Sequence, residues 1–179
     1  MSVVLSKPWY RLTVKETVDF LKVDLKTGLF MDDALKRLKQ FGLNENKLLP
    51  KSTSHLYKTT VFRDSKLKKI GVENLAKGDI VIIKKGDRVP ADLRLLRVNS
   101  LIIDESRALG NNVNSYKNTF ACKDHSSLEN QKCMAFADSI VLEGSGVGVV
   151  VETESSVASN KLTNQNHKNN KLSLRSKLK

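Results

Sequence analysis

The acidic residues that are the best candidates for a chemical role lie between residues 78 and 106. Two of them directly follow a glycine. They are Asp79 of the pair Gly78-Asp79, Asp87 of the pair Gly86-Asp87, and then Asp92, Asp104 and Glu105. Such carboxylates can coordinate a cation, or each can accept hydrogen bonds from a backbone turn. Gly-Asp is typical of turns, because glycine accepts a positive φ and aspartate bonds nearby backbone. We therefore interpret these residues as structural and expect no metal ligands among them.

The residues around the two glycine pairs predict a strand, a corner and a second strand. The run from Ile80 to Ile83 is β-branched and too short for an independent helix, so it favours a buried strand. Pro90 removes a backbone donor and fixes φ, which ends strand pairing and redirects the chain. The next predicted strand runs from Leu93 to Val98, and residues 101–106 close this stretch.

These motifs resemble the actuator domain of P-type cation-transporting ATPases. The residues that carry the resemblance are Gly78-Asp79-Ile80-Val81, Gly86-Asp87-Arg88-Val89-Pro90-Ala91-Asp92-Leu93 and Asp104-Glu105-Ser106. Residues 134–151 are similar to the last actuator strands, and residues 8–44 to the N-terminal segment of the calcium-pump-like branch. The resemblance implies a mainly β fold with some α: a distorted jelly-roll-like domain plus a small helical hairpin. In this family the actuator swings against a phosphorylated domain during transport.

One position departs from the family's pattern in a way that bears on catalysis. The resemblance implies a Thr-Gly-Glu-Ser motif shortly after Asp-Glu-Ser, whose glutamate positions the water that hydrolyses an aspartyl-phosphate. Leu109-Gly110-Asn111-Asn112 stands there, so Gly110 is retained and Asn111 replaces the glutamate, while Lys117 still matches. An amide cannot act as a general base near neutral pH, and such a base typically contributes about 10²–10⁴-fold. We therefore predict no catalytic residue in this chain.

The segment 1–43 predicts two short helices. Thr13 and Glu16 have capping-box spacing at the start of the first helix. The second helix is predicted from Met31 to Phe41 with Gly42 as its end. Its apolar stripe consists of Met31, Ala34, Leu35 and Leu38. Two helices of this size must dock on the β domain or on another protein.

Three further segments follow along the chain. Residues 44–59 contain Pro50 and a Ser-Thr-Ser cluster, which predicts a linker where the family has a pair of membrane helices. Residues 60–154 are expected to form the actuator-like β domain, with a turn at Asp64-Ser65 and an exposed, mobile loop over 107–130. Its last two strands are predicted to pair around Gly144-Ser145-Gly146. Residues 155–179 are rich in Ser, Asn and Lys and are expected to be disordered.

Basic charge is concentrated in two segments of the chain. The formal net charge is +12, and residues 51–70 and 155–179 contribute +5 and +6 of it. Such runs are most often solvated surface, although they can also attract anionic phospholipid or RNA. The remaining residues are nearly neutral, so basicity gives no indication of a nucleic-acid-binding core.

Cysteine usage and hydropathy indicate a reduced protein that is cytosolic or lies at the cytoplasmic face of a membrane. No apolar run approaches the roughly 20 residues of a spanning helix, and the N-terminus lacks the features of a secretory leader. Cys122 and Cys133 are too far apart for a Cys-x-x-Cys motif, and His125 does not complete a metal-ligand set. Reduced thiols are expected in that compartment.

Several functions remain open from the sequence. The first is a catalytically silent actuator-like module or remnant that docks on a membrane cation pump or its other domains, without cofactor or small-molecule substrate. The second is a basic protein that binds RNA or a membrane surface through residues 51–70 and 155–179. The third is the actuator part of a split ATP-driven transporter, and the fourth is an acyl-phosphate phosphatase, against which Asn111 argues.

Overall fold

The computed structural model describes residues 7–44, 57–110 and 114–153 of the chain. These residues form a mainly antiparallel β-sheet with a few short helices, which confirms the predicted fold class. The helices are α1 (Val14–Leu21), α2 (Met31–Phe41) and α3 (Ser106–Leu109), with single 3₁₀ turns at Trp9–Arg11, Val72–Asn74 and Leu128–Asn130. No helix within these ranges is long and apolar enough to cross a membrane.

Seven strands form one sheet. They are β1 (Lys58–Arg63), β2 (Lys66–Gly71), β3 (Ile80–Lys84), β4 (Asp92–Asp104), β5 (Asn114–Tyr116), β6 (Met134–Ala135) and β7 (Ile140–Glu152). The hydrogen-bonded order is β2-β1-β3-β7-β4-β5, with β6 also paired to β4, and every pairing is antiparallel. The predicted turn at Asp64-Ser65 joins β1 to β2, and both residues have positive φ. Strand β2 therefore lies at the opposite edge of the sheet from β5.

The glycine-rich segment Gly144-Ser145-Gly146 is not a turn, so the prediction of two strands around it is wrong. Residues 140–152 form the single strand β7, which pairs with β4 from one end to the other across several register shifts. Gly144 has a φ of 71°, and an added Cβ there would collide with the carbonyl oxygens of Asn99 and Ser100. Glycine is therefore needed where β4 and β7 bend together. In the sequence alone, a glycine needed for this close approach looks the same as a glycine in a turn.

Both predicted N-terminal helices are present with the predicted caps. Thr13 and Glu16 form a reciprocal capping box at the start of α1, where the Glu16 amide donates to Thr13 Oγ1 over 3.2 Å. Helix α2 runs from Met31 to Phe41, and Gly42 ends it with a φ of 85°. Local capping chemistry therefore determines these boundaries.

The helical hairpin docks on the β-sheet, which the sequence left undecided. Its buried apolar residues share one core cluster with strand residues: Trp9, Leu21, Val23, Leu29 and Ala34 with Ile80, Val149 and Val151. Arg37 adds polar links, because its guanidinium donates to the carbonyl oxygens of Lys77 (2.9 Å) and Leu21 (2.8 Å). The expected apolar stripe of α2 is only half correct, since Ala34 and Leu38 pack inward while Met31 and Leu35 are exposed.

Asn44 and Tyr57, which flank residues 45–56, both form hydrogen bonds with Val72. Asn44 Nδ2 donates to the carbonyl oxygens of Val72 and Pro90, each over 3.0 Å, and the Val72 amide donates to the Tyr57 carbonyl over 3.0 Å. The twelve residues between Asn44 and Tyr57 lie outside the described part of the chain. They are too few for a pair of membrane helices, each of which needs roughly 20 residues.

A buried ion pair fixes the start of β3 against the end of β1. The side chains of Arg63 and Asp79 are 3% and 0% exposed, and Arg63 Nε donates to Asp79 Oδ1 over 2.6 Å. Asp79 Oδ2 also accepts the amide of Ala76 (2.7 Å), and Arg63 Nη2 donates to the carbonyl of Asn74 (2.9 Å). The aspartate of the first Gly-Asp pair therefore closes a turn, as predicted, and neutralises a buried arginine.

We predict that Arg63→Met lowers the free energy of unfolding by about 3–5 kcal/mol, because Asp79 is left charged and buried without its partner. Urea denaturation followed by circular dichroism measures the change. Lys68→Met is the matched control, since Lys68 and Asp64 form an ion pair whose side chains are each 32% exposed. Loss of a pair of that kind should cost about 1 kcal/mol or less. Equal losses in the two variants would contradict a special role for the buried pair.

Candidate functional site

The candidate site is the segment that joins β4 to β5, which the sequence analysis matches to the hydrolytic loop. Asp104 Oδ1 accepts the Ser106 amide over 2.9 Å and also the Ser106 hydroxyl, which starts the short helix α3. Gly110 follows α3 with a φ of 80°. Asn111 itself lies outside the described residues, so its role stays a prediction.

The flanks of this segment are more buried than predicted. Residues 107–130 were expected to form an exposed loop, but Ala108 and Leu109 of α3 pack into the core. On the other side, Ser115 is buried in β5 and Lys117 has a fully buried side chain. The expected exposure therefore fails at these four positions and holds for most of the described residues of 107–110 and 114–130.

A second buried ion pair joins the two flanks. Lys117 Nζ donates to Glu105 Oε1 over 2.6 Å, and both side chains are 0% exposed. Burial raises the pKa of Glu105, and the nearby Lys117 ammonium opposes that rise. Burial likewise lowers the pKa of Lys117, against the attraction of Glu105. The pair brings residues 105 and 117 together, so it closes the segment between them into a short loop.

Glu105 is the carboxylate closest in sequence to the missing hydrolytic glutamate, but its position does not suit proton transfer. A general base must reach its substrate within hydrogen-bond distance, directly or through one water molecule. Glu105 is enclosed in the core and engaged by Lys117. Its geometry therefore fits a structural clamp on the loop.

Two aromatic side chains close in sequence to Lys117 are exposed to solvent. Tyr116 is 73% exposed and Phe120 is 77% exposed, the two highest values among the large exposed apolar residues of the described ranges. Tyr116 ends β5 and directly precedes the buried Lys117. Exposed aromatic residues of this kind are common anchors in protein interfaces.

The other motif residues make hydrogen bonds and turns within the fold. Asp87 Oδ2 accepts the amide of Lys84 and Asp92 Oδ1 accepts the amide of Ala137, each over 2.9 Å. Gly78 and Gly86 have φ values of 95° and 88°, while Pro90 and Ala91 are buried between β3 and β4. Across the described ranges, no group of three or more His, Cys, Asp or Glu side chains could hold a metal ion.

The sequence analysis missed a buried arginine and a cysteine pair. Arg94 is 0% exposed and donates to the carbonyl oxygens of Leu12 (2.7 Å), Thr119 (3.0 Å) and Leu95 (2.6 Å). Close by, the sulfur atoms of Cys122 and Cys133 are 3.5 Å apart, although their spacing in sequence is not that of a Cys-x-x-Cys motif. Neither the Arg94 hydrogen bonds nor the cysteine pair can be predicted from residue spacing, because each joins segments that only the fold brings together.

Part of the predicted basic surface surrounds a cavity of about 180 Å³. Cationic side chains from three strands and a turn line it: Lys58, Lys69, Lys84 and Arg88. Arg88 also forms an ion pair with Asp138, with 2.8 Å between Arg88 Nε and Asp138 Oδ1. Residues 155–179, the second basic segment, lie outside the described part of the chain.

Comparison with known proteins identifies the family. The model of the P-type ATPase actuator domain matches residues 54–166, and the model of the cation transporter/ATPase N-terminus matches residues 9–58. Because the first match covers more than half of the chain, the chain belongs to the P-type ATPase actuator-domain family. It combines the N-terminal and actuator domains of P-type cation ATPases, one directly after the other.

Curated relatives are much longer than this chain. The cation-transporting ATPase pma1 of Synechocystis sp. is 44% identical over 52% of this chain and 10% of its own length. The endoplasmic reticulum calcium ATPase srcA of Aspergillus fumigatus is 33% identical over 71% of this chain and 12% of its own. A solved zinc-transporting PIB-type ATPase in the E2.Pi state is 19% identical, covering 58% of this chain and 15% of its own, with a TM-score of 0.45. The chain thus spans about a tenth of the curated relatives' length.

We predict that Lys117→Met destabilises the protein by about 3–5 kcal/mol at pH 8, because it leaves Glu105 buried without a counter-charge. The folded-state pKa of that lone carboxyl then lies above the ordinary value of about 4.3. The free energy of unfolding of Lys117→Met is therefore highest below the ordinary pKa of Glu105, and it falls as the pH rises toward the folded-state pKa of that carboxyl. The penalty should be smaller at pH 5, by about 1.4 kcal/mol for each pH unit inside this window.

Urea denaturation at pH 5 and pH 8 measures this difference, and the Glu105→Gln/Lys117→Met double variant is its control. Removing both charges removes the titration, so the double variant should lose the pH dependence that distinguishes Lys117→Met from the unmodified chain. A Lys117→Met penalty of the same size at both pH values would show that Glu105 is not held in a buried, charge-compensated position.

Proposed function

We propose that this chain is an actuator-type module that docks on a membrane cation pump of the calcium-transporting kind and does not itself hydrolyse an aspartyl-phosphate. The observation that carries the proposal is the buried Glu105–Lys117 pair, which holds the two flanks of the loop together. By the family resemblance, Asn111 aligns with the hydrolytic glutamate. We take the transported ion of the partner pump to be calcium, because two of the relatives are named as calcium ATPases. The scaffold of the loop is present, while its catalytic carboxylate is replaced by an amide.

Docking through this end of the molecule is supported by its surface. Tyr116 and Phe120 lie one and three residues from Lys117 in sequence, and both expose large aromatic side chains. Aromatic residues gain much contact area when buried at an interface and lose little side-chain entropy. The partner surface would be the pump's phosphorylated domain, against which actuators move in this family. This assigns the module a cytoplasmic position at the membrane face.

The proposal includes two roles for such a docked module. As a regulator, it would compete with the pump's own actuator and slow turnover. As part of a split transporter, it would supply the actuator to a separate chain that carries the membrane and phosphorylated domains. Asn111 favours the first role, because an actuator without a hydrolytic base would leave the phosphorylated state to decay slowly.

We predict that excess chain slows ATP turnover by a purified calcium-transporting P-type ATPase in lipid nanodiscs. The Tyr116→Ser/Phe120→Ser variant should lose the effect, because both anchors are removed from the exposed face. Leu67→Ser is the matched control: Leu67 is 63% exposed on β2, at the opposite edge of the sheet, and its loss should leave the effect intact. Co-sedimentation with the nanodiscs measures binding in parallel.

Three results would contradict this proposal. One is the absence of both binding and any effect on turnover, and another is an equal loss of effect in the Leu67→Ser control. The third is rapid hydrolysis of acetyl phosphate by the unmodified chain, which would make it an acyl-phosphate phosphatase. Acceleration of turnover, in contrast, would favour the split-transporter role.

The basic cavity supports a second candidate function, attachment to an anionic surface. Lys58, Lys69 and Lys84 are exposed around it, so a phosphate group could approach several ammonium groups together. Lysines on an edge strand such as β2 also have a simpler role, because they discourage pairing with other sheets. This reading of residues 51–70 is therefore secondary to docking.

We predict that, if this surface acts, the chain binds phosphatidylserine vesicles with an affinity that falls steeply with salt. The Lys58→Glu/Lys69→Glu/Lys84→Glu variant should bind at least about 100-fold more weakly, at roughly 1 kcal/mol for each lost cation. Single-stranded RNA in the same assay distinguishes a nucleic-acid ligand from a membrane. Undiminished binding by the variant would assign the attraction to residues outside the cavity.

A further inference from the structure

Cys122 and Cys133 form a close pair of thiols that no other part of the proposed function uses. Their sulfur atoms are 3.5 Å apart, although the residues are separated by 11 positions in sequence. Cys133 is fully buried and Cys122 is half-buried, and both are free cysteines. The S–S bond of a disulfide is about 2.0 Å long, so the sulfur atoms need to approach by about 1.5 Å.

The two thiols lie where three segments of the chain meet. The Cys122 amide donates to the Tyr10 carbonyl over 2.7 Å, and Cys133 Sγ donates to the same oxygen over 3.4 Å. The Arg94 guanidinium approaches from β4 and donates to the Leu12 and Thr119 carbonyls. The Leu95 amide also donates to the Cys133 carbonyl over 2.8 Å. The backbones of both cysteines are therefore held, so little chain entropy remains to be lost when their sulfur atoms join.

The environment gives the two thiols different reactivities. Burial raises the pKa of Cys133 to about 12, and the positive charge of Arg94 only partly opposes this. Cys133 therefore remains a protonated thiol at neutral pH and is shielded from solutes. Cys122 is the thiol that a dissolved oxidant can reach first, and the thiolate is the reactive form.

We propose that Cys122 and Cys133 are a modification site for hydroperoxides, at which Cys122 is oxidised first and Cys133 then closes an intramolecular disulfide. The inference is independent of whether the chain docks on a pump. It assigns to the cysteines a covalent chemistry that their sequence spacing does not indicate. A reversible disulfide is also the kind that a reducing compartment tolerates.

Both steps balance with hydrogen peroxide as the named oxidant. The Cys122 thiolate attacks one peroxide oxygen and the O–O bond breaks, which leaves a sulfenic acid on Cys122 and releases hydroxide. The hydroxide takes up a proton from solvent and becomes the first molecule of water. Cys133 sulfur then attacks the Cys122 sulfur. The S–O bond breaks, and the Cys133 proton leaves with the hydroxyl group as water. Two thiols are oxidised by two electrons in total, and one peroxide is reduced to two molecules of water.

The test treats the full chain with a small excess of hydrogen peroxide under native conditions. The chain is then unfolded in denaturant, and the remaining thiols are blocked with N-ethylmaleimide. We expect a monomer that has lost two hydrogen atoms and binds no maleimide. Trypsin cuts after Lys117, Lys123, Lys132 and Lys161. The peptides 118–123 and 133–161 should therefore be found joined, and dithiothreitol should separate them.

Two variants test the order of the steps. Cys122→Ser, at the half-buried position, should leave Cys133 unoxidised and available to maleimide after unfolding. Cys133→Ala should accumulate the Cys122 sulfenic acid, which dimedone traps. In the unmodified chain, oxidation should also lower the unfolding equilibrium constant on the order of 100-fold, as expected for a closed ring of about eleven residues.

Several results would overturn the assignment. Maleimide on both cysteines after peroxide treatment would show that the pair does not react. A disulfide only between two chains, or sulfinic acid at Cys122 without the joined peptides, would show that Cys133 cannot reach it. Because the joined peptides are sought in the unmodified chain, these outcomes hold even if a variant fails to fold.

Discussion

A guanidinium group buried in a β-sheet must find hydrogen-bond acceptors within the protein, because leaving its donors unpaired costs several kcal/mol. Arg94 meets this requirement with carbonyl oxygens of Leu12, Leu95, Thr119 and Cys133. These carbonyls belong to the N-terminal segment, to β4 itself and to the connection between β5 and β6. One side chain therefore holds three sequence-distant segments at a common point. The docking of the helical hairpin and the meeting of the two thiols both depend on this convergence.

The two buried ion pairs follow the same rule and determine the geometry of the motif residues. Arg63–Asp79 joins the end of β1 to the turn before β3, and Glu105–Lys117 joins the two flanks of the candidate loop. Each charge is costly to bury, as the raised pKa of Glu105 and the lowered pKa of Lys117 indicate. Such a pair specifies one arrangement strongly, because separating its members inside the core leaves two uncompensated charges. The motif residues Asp79 and Glu105 therefore act by fixing the positions of the backbone segments that their ion pairs join.

Local chemistry made much of the fold predictable, and distant contacts made the rest unpredictable. The capping box at Thr13, the end of α2 at Gly42 and the turn at Asp64-Ser65 each depend on a few adjacent residues, and all three are present. The glycines near Gly144 were misread because their purpose is contact with Ser100 on another strand. For the site, Asp104-Glu105-Ser106 and Lys117 were matched to the family from the sequence, but the contact between Glu105 and Lys117 was not predicted. Cys122 and Cys133 were dismissed on spacing that the fold makes irrelevant.

The proposed role separates two tasks that one loop performs in an active pump. Holding the loop in place requires fixed ends, and here Glu105 and Lys117 provide them through a buried contact. Hydrolysis requires in addition a carboxylate that can take a proton from water, and Asn111 has no such group. Neither task depends on the other, since the clamp residues are enclosed in the core and the reacting residue belongs to the segment between them. We infer that a chain with the first feature and not the second can occupy an actuator's binding surface on a pump while leaving the phosphorylated aspartate unattacked. In that role the chain would act by binding the pump and would contribute no catalytic residue.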